Sequence, residues 1–239
     1  MKINKIINIE KYIDLNIQHS SNKWVSKLSI FDAFKYLNII KNYESLLGSL
    51  SGKKSKKEFH GGPILCIAVR NGREVDMFRL AAYHRLLTRV IKAFELKRTG
   101  FSTLVPFIDS ISRSDVGNIT NRSVVGLELN PKAKRKDIQL ESFNNMPIAW
   151  KDKFFILYTN SFDHSYDPYL TAEEMKRVCC NGGYIILAFP EAQQPDELNA
   201  VGCLDIDDAK GLFGNEVIYY NYYGSRWNYT EYIIRVNKE

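Results

Sequence analysis

The feature that most constrains the fold of this chain is an uninterrupted apolar run at residues 64–69, ILCIAV, which Pro63 precedes. Side chains that favour β structure, without polar alternation, are typical of a strand buried on both faces of a parallel sheet. Turn residues follow at 70–72, and apolar side chains then recur at helical spacing through residues 73–80. The sequence therefore predicts a strand, a tight turn and a helix in direct succession.

Further apolar segments repeat this pattern along the chain. We predict strands at residues 123–128, 153–158 and 183–188. Residues 217–223 and 229–236 alternate apolar and polar side chains around a Gly-Ser-Arg turn, which predicts a terminal antiparallel pair. Because strands that alternate with helices favour a parallel sheet, we predict an α/β fold. Its Rossmann-like, mostly parallel sheet is flanked by helices and ends in a C-terminal antiparallel hairpin.

One of the predicted helices covers residues 169–179. Within it, Thr171 and Glu174 have the spacing of a capping box, in which each side chain bonds to a backbone amide at the helix start. We therefore expect this helix to begin close to Thr171.

The chain divides into two parts in this interpretation. Residues 1–60 form an N-terminal helical segment and linker, and residues 61–239 form the Rossmann-like domain. The second predicted strand comes much later than a β-α-β unit of roughly 30 residues requires. We therefore interpret residues at about 81–121 as an insertion into the domain.

Charge and cysteine usage narrow the class of protein. The chain has 33 Lys and Arg against 27 Asp and Glu, a net charge of +6, which permits an anionic partner without requiring one. Lysines at 53–57 make nucleic acid possible, but no aromatic side chains interleave with them, so a solvated linker is favoured. The four cysteines form no C-x-x-C pair, which favours reduced thiols and a cytoplasmic protein. No apolar window approaches the about 20 residues of a membrane span, and we expect neither a membrane partner nor a metal.

Two residues at predicted strand ends suggest a nucleotide site. Ligands of such sheets bind outside the carboxyl ends of the strands, where the strand order reverses. Gly72 gives the turn after the first strand, and the helix that follows offers free amide groups. The second strand ends in Glu128, whose carboxylate can accept hydrogen bonds from two ribose hydroxyls.

Five segments, in chain order, resemble motifs of class I S-adenosylmethionine (SAM)-dependent methyltransferases. The first is closest to a branch with Arg-x-Gly-x-Glu-Val in place of Gly-x-Gly, and five ordered motifs are more specific than one. The matching segments are residues 64–75 (ILCIAVRNGREV), 124–131 (VVGLELNP), 143–147 (FNNMP), 158–164 (YTNSFDH) and 173–183 (EEMKRVCCNGG).

The resemblance implies a methyltransferase-like domain that binds SAM as its cofactor. The residues implied to bind the methionine part, the ribose, the adenine and the region of the reactive methyl are, in chain order, Ala68, Arg70, Asn71, Gly72, Glu128, Leu129, Ser142, Phe143 and Asn160. Two positions depart from the family pattern, because Ala68 replaces the first motif glycine and Ser142 replaces an aspartate, with Glu141 beside it.

Methyl transfer is an in-line displacement from a sulfonium, for which the protein aligns donor and acceptor. An alcohol acceptor also needs a base. We predict that His164 is this base, with Asp163 orienting it or acting in its place. The alternative is that both side chains only cap the next turn.

The predicted function is a SAM-dependent methyltransferase that acts on a small molecule or glycan by in-line methyl transfer. The alternative is a binding or regulatory protein on the same fold whose catalytic chemistry has decayed. The departures at Ala68 and Ser142 motivate this alternative.

Overall fold

The structure is a computed structural model of the chain. It describes residues 3, 8–22, 30–50, 62–69, 72–83, 114–190, 195–202, 204–214, 216–223 and 229–238. The predictions made for the lysines at 53–57, for Arg70 and Asn71, and for most of the 81–121 segment lie outside these residues.

The described residues form five α-helices and seven β-strands. The helices are α1 (Ile9–Asn22), α2 (Ile30–Leu50), α3 (Arg73–Tyr83), α4 (Pro168–Val178) and α5 (Ile206–Phe213). The strands are β1 (Ile64–Ile67), β2 (Val124–Glu128), β3 (Ile138–Leu140), β4 (Phe154–Thr159), β5 (Cys179–Pro190), β6 (Glu216–Tyr223) and β7 (Tyr229–Arg235).

All seven strands belong to one sheet with the order β3-β2-β1-β4-β5-β7-β6. The strands β1 to β5 pair in parallel, and β7 runs antiparallel to both β5 and β6. The strand order reverses between β1 and β4, and this is the point where such sheets bind ligands. The predicted α/β class, with a mostly parallel sheet and a C-terminal antiparallel hairpin, is therefore confirmed.

Side chains on the two faces of the sheet form two cores. Ile64 and Cys66 of β1 are wholly buried in the core that also contains α2 and α3. Leu65 and Ile67 point the other way and pack with residues of α4 and α5. Because both faces of β1 are covered, its apolar residues do not alternate with polar ones, as the sequence indicated.

Helix α2 packs on the sheet although it precedes the first strand by a long interval. Its side chains Tyr36 and Ile40 are fully buried in the same core as β1. The Tyr36 hydroxyl donates a hydrogen bond to the buried carboxylate of Glu231 in β7. The Lys35 ammonium lies 2.7 Å from the same carboxylate. Helix α2 therefore contributes to the core that also contains α3 and one face of β1. The proposed domain limits remain a prediction.

Helix α4 begins earlier than its predicted capping box. Asp167 is the N-cap, and its carboxylate accepts a hydrogen bond from the Leu170 amide at 3.0 Å. Thr171 is buried instead, and its hydroxyl lies 2.6 Å from that of Ser165. Glu174 is paired with Arg177 one turn later. The predicted box is wrong because a better cap, Asp167 followed by a proline, lies four residues upstream.

Candidate cofactor and acceptor site

A cavity lies at the carboxyl ends of β1, β2, β3 and β4, with α1 on its opposite side. Its empty space, counted together with the open solvent at its mouth, is about 720 Å³. Six of the predicted site residues line this cavity: Ala68, Glu128, Leu129, Ser142, Phe143 and His164. The other lining residues are Tyr12, Ile13, Asn16, Ile17, Leu127, Glu141, Asn144, Ser161 and Tyr166.

The backbone turns sharply where β1 ends. Ala68 has a φ of 58°, in the left-handed region that glycine adopts without strain. Its amide donates a hydrogen bond of 2.8 Å to the Leu127 carbonyl at the end of β2. Ala68 therefore has a backbone conformation that favours glycine, and the residue lines the cavity.

Gly72 completes this turn but does not line the cavity. Its φ is 82°, and its amide donates to the Val69 carbonyl at 2.7 Å. A Cβ added here would lie 2.5 Å from Nη1 of Arg135. Glycine is needed at this position because the turn packs directly on a guanidinium group.

That guanidinium belongs to a buried ionic cluster, which we call the aspartate–arginine cluster: Asp76, Arg79, Arg135 and Asp137. Arg79 Nη2 lies 2.6 Å from Asp137, and Arg135 Nη2 lies 2.7 Å from Asp76 and 2.8 Å from Asp137. Burial raises the pKa of Asp137, but the hydrogen bonds and charges of the two arginines outweigh it and lower this pKa below its usual value. The cluster joins α3 to the segment before β3 and so supports the turn from below.

Glu128 stands at the end of β2 with its side chain fixed by the following backbone. Its carboxylate Oε1 accepts hydrogen bonds from the Leu129 amide at 3.0 Å and the Asn130 amide at 2.9 Å. The residue is only 7% exposed and lines the cavity. A carboxylate offers about four acceptor positions, so a side chain held in this way remains chemically able to accept hydrogen bonds from a diol.

The segment after β3 forms the next part of the wall. The Ser142 hydroxyl accepts a hydrogen bond from the Asn144 amide at 3.2 Å. It also bonds with Tyr166, whose pKa is raised by burial although this hydrogen bond opposes the change. Asn144 Nδ2 donates to Thr171 Oγ1 at 2.7 Å, which attaches the segment to α4. Phe143 is partly buried and packs against the core on the α4 side.

The 3₁₀ turn Phe162–His164 follows β4 and places His164 at the cavity. The Nδ1 atom of His164 lies 2.8 Å from the Leu198 carbonyl oxygen. Because a carbonyl oxygen can only accept, Nδ1 carries the hydrogen, and Nε2 of the neutral ring is the acceptor. This tautomer is the one that a base acting through Nε2 requires.

Two other predicted residues of this region lie beside the cavity lining. Asp163 is buried, with 8% exposure, and its backbone carbonyl accepts a hydrogen bond from the Val201 amide at 3.1 Å. Asn160 Oδ1 accepts a hydrogen bond of 3.0 Å from the Ser161 hydroxyl, and it is Ser161 that lines the cavity.

Helix α1 forms one side of the cavity. The sequence motifs did not predict this position of α1. Its lining side chains, Tyr12, Ile13, Asn16 and Ile17, form what we call the α1 wall; the residues that follow β1 and end β2 form the sheet wall. The Tyr12 hydroxyl donates to the Leu198 carbonyl at 2.8 Å and accepts from the Ala200 amide at 3.1 Å. Burial raises the pKa of Tyr12 to about 12. The one available signal was that these four residues share a single helix face.

Within the described part of the chain, no group of three or more His, Cys, Asp or Glu side chains is arranged to hold a metal ion. Asp167, which follows the His164 turn, is the N-cap of α4. None of the described helices combines the length and apolar character needed to span a membrane.

Comparison with known proteins gives similarity at the level of structure. No protein-family model matches the chain, and no curated protein does. A Burkholderia thailandensis 1,6-didemethyltoxoflavin N1-methyltransferase, solved with 1,6-didemethyltoxoflavin and S-adenosylhomocysteine, has a TM-score of 0.54 at 9% identity, over 98% of this chain and 92% of that one. A putative methyltransferase from Bacillus halodurans has a TM-score of 0.48 at 11% identity, over 81% and 100%. The chain therefore has the Rossmann-like fold of SAM-dependent methyltransferases.

Proposed function

We propose that this protein is a SAM-dependent methyltransferase that acts on a small molecule or glycan by in-line methyl transfer. The observation that carries the proposal is the convergence of Ala68, Glu128, Ser142 and His164 on one cavity. These residues come from the ends of four different strands, at the point where the strand order reverses.

The side chains at the sheet wall fit an adenosyl group. Glu128 presents to the cavity a carboxylate whose orientation the Leu129 and Asn130 amides fix, and its proposed role is to accept hydrogen bonds from the two ribose hydroxyls. Leu129 and Phe143 offer apolar surface to the adenine, and Ser142 offers a hydroxyl. When bound, SAM supplies a methyl group activated by the sulfonium.

The turn after β1 and Asn160 form the rest of the proposed cofactor site. We propose that the backbone from Ala68 through Arg70, Asn71 and Gly72 lies beside the methionine part, and that Asn160 lies near the methyl group. The local backbone supports this role because the left-handed φ values of Ala68 and Gly72 bend the chain sharply after β1, beside the cavity that Ala68 lines.

His164 is proposed as the base that takes a proton from an acceptor hydroxyl. Its Nε2 accepts this proton while Nδ1–H stays hydrogen-bonded to the Leu198 carbonyl, so the ring is held in one orientation. Asp163, adjacent and buried, is proposed to stabilise the protonated ring through its charge.

The side chains that line the cavity indicate the chemical class of the methyl acceptor that we propose. The α1 wall adds a tyrosine, two isoleucines and an asparagine to the cavity, a mainly apolar surface with a few polar groups. This surface suits a small neutral molecule, and the B. thailandensis enzyme of the same fold is a small-molecule methyltransferase by name. A nucleic-acid acceptor is possible but less favoured.

Calorimetric titration with S-adenosylhomocysteine tests this proposal. We expect the wild-type chain to bind it and Glu128→Gln to bind at least about tenfold more weakly, which is about 1.4 kcal/mol. The matched control is Glu173→Gln, an exposed carboxylate of α4 that does not line the cavity, which should retain the affinity. Absence of heat at millimolar ligand, or equal affinity of wild type and Glu128→Gln, would overturn the proposal.

A binding or regulatory protein on this fold is the second candidate, and the left-handed backbone of Ala68 is the observation that favours it. A residue with a Cβ at this strained position narrows the approach of a ligand to the main chain. This candidate predicts that the wild-type chain gives no heat with the cofactor product.

A further inference from the structure

The Leu198 carbonyl joins the two sides of the candidate site. It accepts a hydrogen bond of 2.8 Å from the Tyr12 hydroxyl of α1 and lies 2.8 Å from Nδ1 of His164. The two donors belong to different elements, Tyr12 to α1 and His164 to the turn after β4, and Tyr12 precedes Leu198 by 186 residues. One backbone oxygen therefore connects the docking of α1 with the orientation of the His164 ring.

The turn that contains Leu198 is held in place from both ends. The Asp196 carboxylate accepts hydrogen bonds from the Leu198 amide at 2.8 Å and from the Asn199 amide at 2.7 Å. Burial raises the pKa of Asp196, but these amide hydrogen bonds outweigh it and lower the pKa. The Ala200 amide then donates to the Tyr12 hydroxyl at 3.1 Å. The Tyr12 hydroxyl thus binds the backbone at Leu198 and again at Ala200.

From this arrangement we infer that Tyr12 is a positioning residue for His164. Its hydroxyl holds the Leu198 carbonyl where it fixes the Nδ1–H tautomer and leaves Nε2 as the acceptor. The inference rests on the proposed function, in which His164 Nε2 receives the proton of the acceptor. Tyr12 itself need not contact the reacting atoms.

The positioning residue belongs to the helix that faces the ligand. Helix α1 also lines the cavity with Asn16 and Ile17, so the same helix contacts the site and carries the hydroxyl that holds the Leu198 carbonyl.

A purely structural role for Tyr12 predicts something different. Tyr12 is 4% exposed, and the loss of its hydroxyl lowers stability in either case. Only the positioning role requires that the tautomer of His164 changes as well.

Long-range proton–nitrogen NMR of the histidine rings, in the folded chain without ligand, tests the inference. The chain has four histidines, and the spectrum of His164→Asn identifies the signals of His164. We expect one neutral tautomer in the wild type, with the hydrogen on Nδ1. In Tyr12→Phe we expect a mixture of tautomers, together with an affinity for S-adenosylhomocysteine that is roughly threefold to tenfold lower.

The matched control is Tyr36→Phe. Tyr36 is also buried, 1% exposed, in the core that contains α2 and α3, and its hydroxyl bonds to Glu231 of β7. This variant should lose stability while the His164 spectrum and the ligand affinity stay at their wild-type values. If Tyr12→Phe fails to fold, Asp196→Ala releases the Leu198 turn while it keeps every side chain of α1, and it should produce the same mixture of tautomers.

An unchanged single tautomer in the folded Tyr12→Phe variant, or in Asp196→Ala, overturns the inference. The NMR measurement needs no cofactor, so this failure is distinguishable from failure of the proposed function. That function fails when the wild-type chain does not bind the cofactor product, whatever the tautomer of His164.

Discussion

The two walls of the cavity are built in different ways. The sheet wall, at Ala68 and Glu128, stands on parallel strand pairing and on the aspartate–arginine cluster beneath the turn. Within the described residues, α1 takes no part in the strand pairing, and the Tyr12 hydroxyl joins it to the segment at 195–202 by two hydrogen bonds. The comparison teaches that the proposed cofactor side is held by the sheet and by a buried ionic cluster, whereas the α1 wall is joined to a loop segment through the Tyr12 hydroxyl. Changes in the sheet wall should therefore cost more stability than changes in the α1 wall.

The largest effect is expected for Asp137→Asn. This side chain is wholly buried between Arg79 and Arg135, and loss of its charge leaves Asp76 as the one carboxylate of the cluster against two guanidinium groups. We expect a loss of about 3–5 kcal/mol in the free energy of unfolding, measured by chemical denaturation. The exposed Asp207→Asn should change it by less than about 0.5 kcal/mol. If Tyr12→Phe cost as much as Asp137→Asn, the two walls would not differ as described.

The difference in unfolding free energy between the wild type and Asp137→Asn should also depend on pH. Because the folded pKa of Asp137 is lowered, its contribution is present above the unfolded value of about 3.9 and is lost as the pH falls through the folded value. The difference in unfolding free energy between the wild type and Asp137→Asn should therefore be constant near neutral pH and shrink below about pH 4. A difference that grew on acidification would contradict this assignment of charge.

A smaller loss is expected for Gly72→Ala. The new side chain would adopt a φ of 82° and place its Cβ 2.5 Å from Arg135 Nη1, which should cost roughly 2–3 kcal/mol. Gly211→Ala, in α5 with nothing within 4 Å of the added Cβ, should instead gain up to about 1 kcal/mol. If the turn is as closely packed as described, the midpoint of thermal unfolding should fall in Gly72→Ala and rise in Gly211→Ala.

The smallest effect is expected for Ala68→Gly. Glycine adopts a φ of 58° without strain, so the change should alter the free energy of unfolding by about 1 kcal/mol or less, in the stabilising direction. It should also keep or raise the affinity for S-adenosylhomocysteine, measured by calorimetry. A loss of affinity would show that the alanine side chain itself contributes to the sheet wall.

Most of the sheet could be predicted from the sequence because its strands are buried on both faces. The apolar runs that end at Glu128 and Thr159 have no other economical explanation, and the alternation around the last turn marks the antiparallel pair. Strand β3 was missed because three residues carry too little periodicity. Helix α5 was missed although Asp205 and Asp208 form a capping box at its start.

Some residues of the candidate site could likewise be predicted from the sequence, and others could not. Glu128, Ser142 and His164, predicted from the ordered motifs and their flanks, all line one cavity, because each lies at or after the end of a strand and parallel strands end at the same edge. Their roles remain predictions. Tyr12 and Leu198 carry no such local pattern. Their contact depends on where a distant helix docks, which periodicity within one segment does not encode.

A crystal structure of the chain with S-adenosylhomocysteine tests the central claim most directly. We predict that both ribose hydroxyls lie within hydrogen-bond distance of the Glu128 carboxylate and that α1 covers the ligand from the other side. A ligand bound elsewhere, or a cleft filled by side chains at Ala68 and Glu128, would contradict the proposed function. Only the fold assignment would then remain.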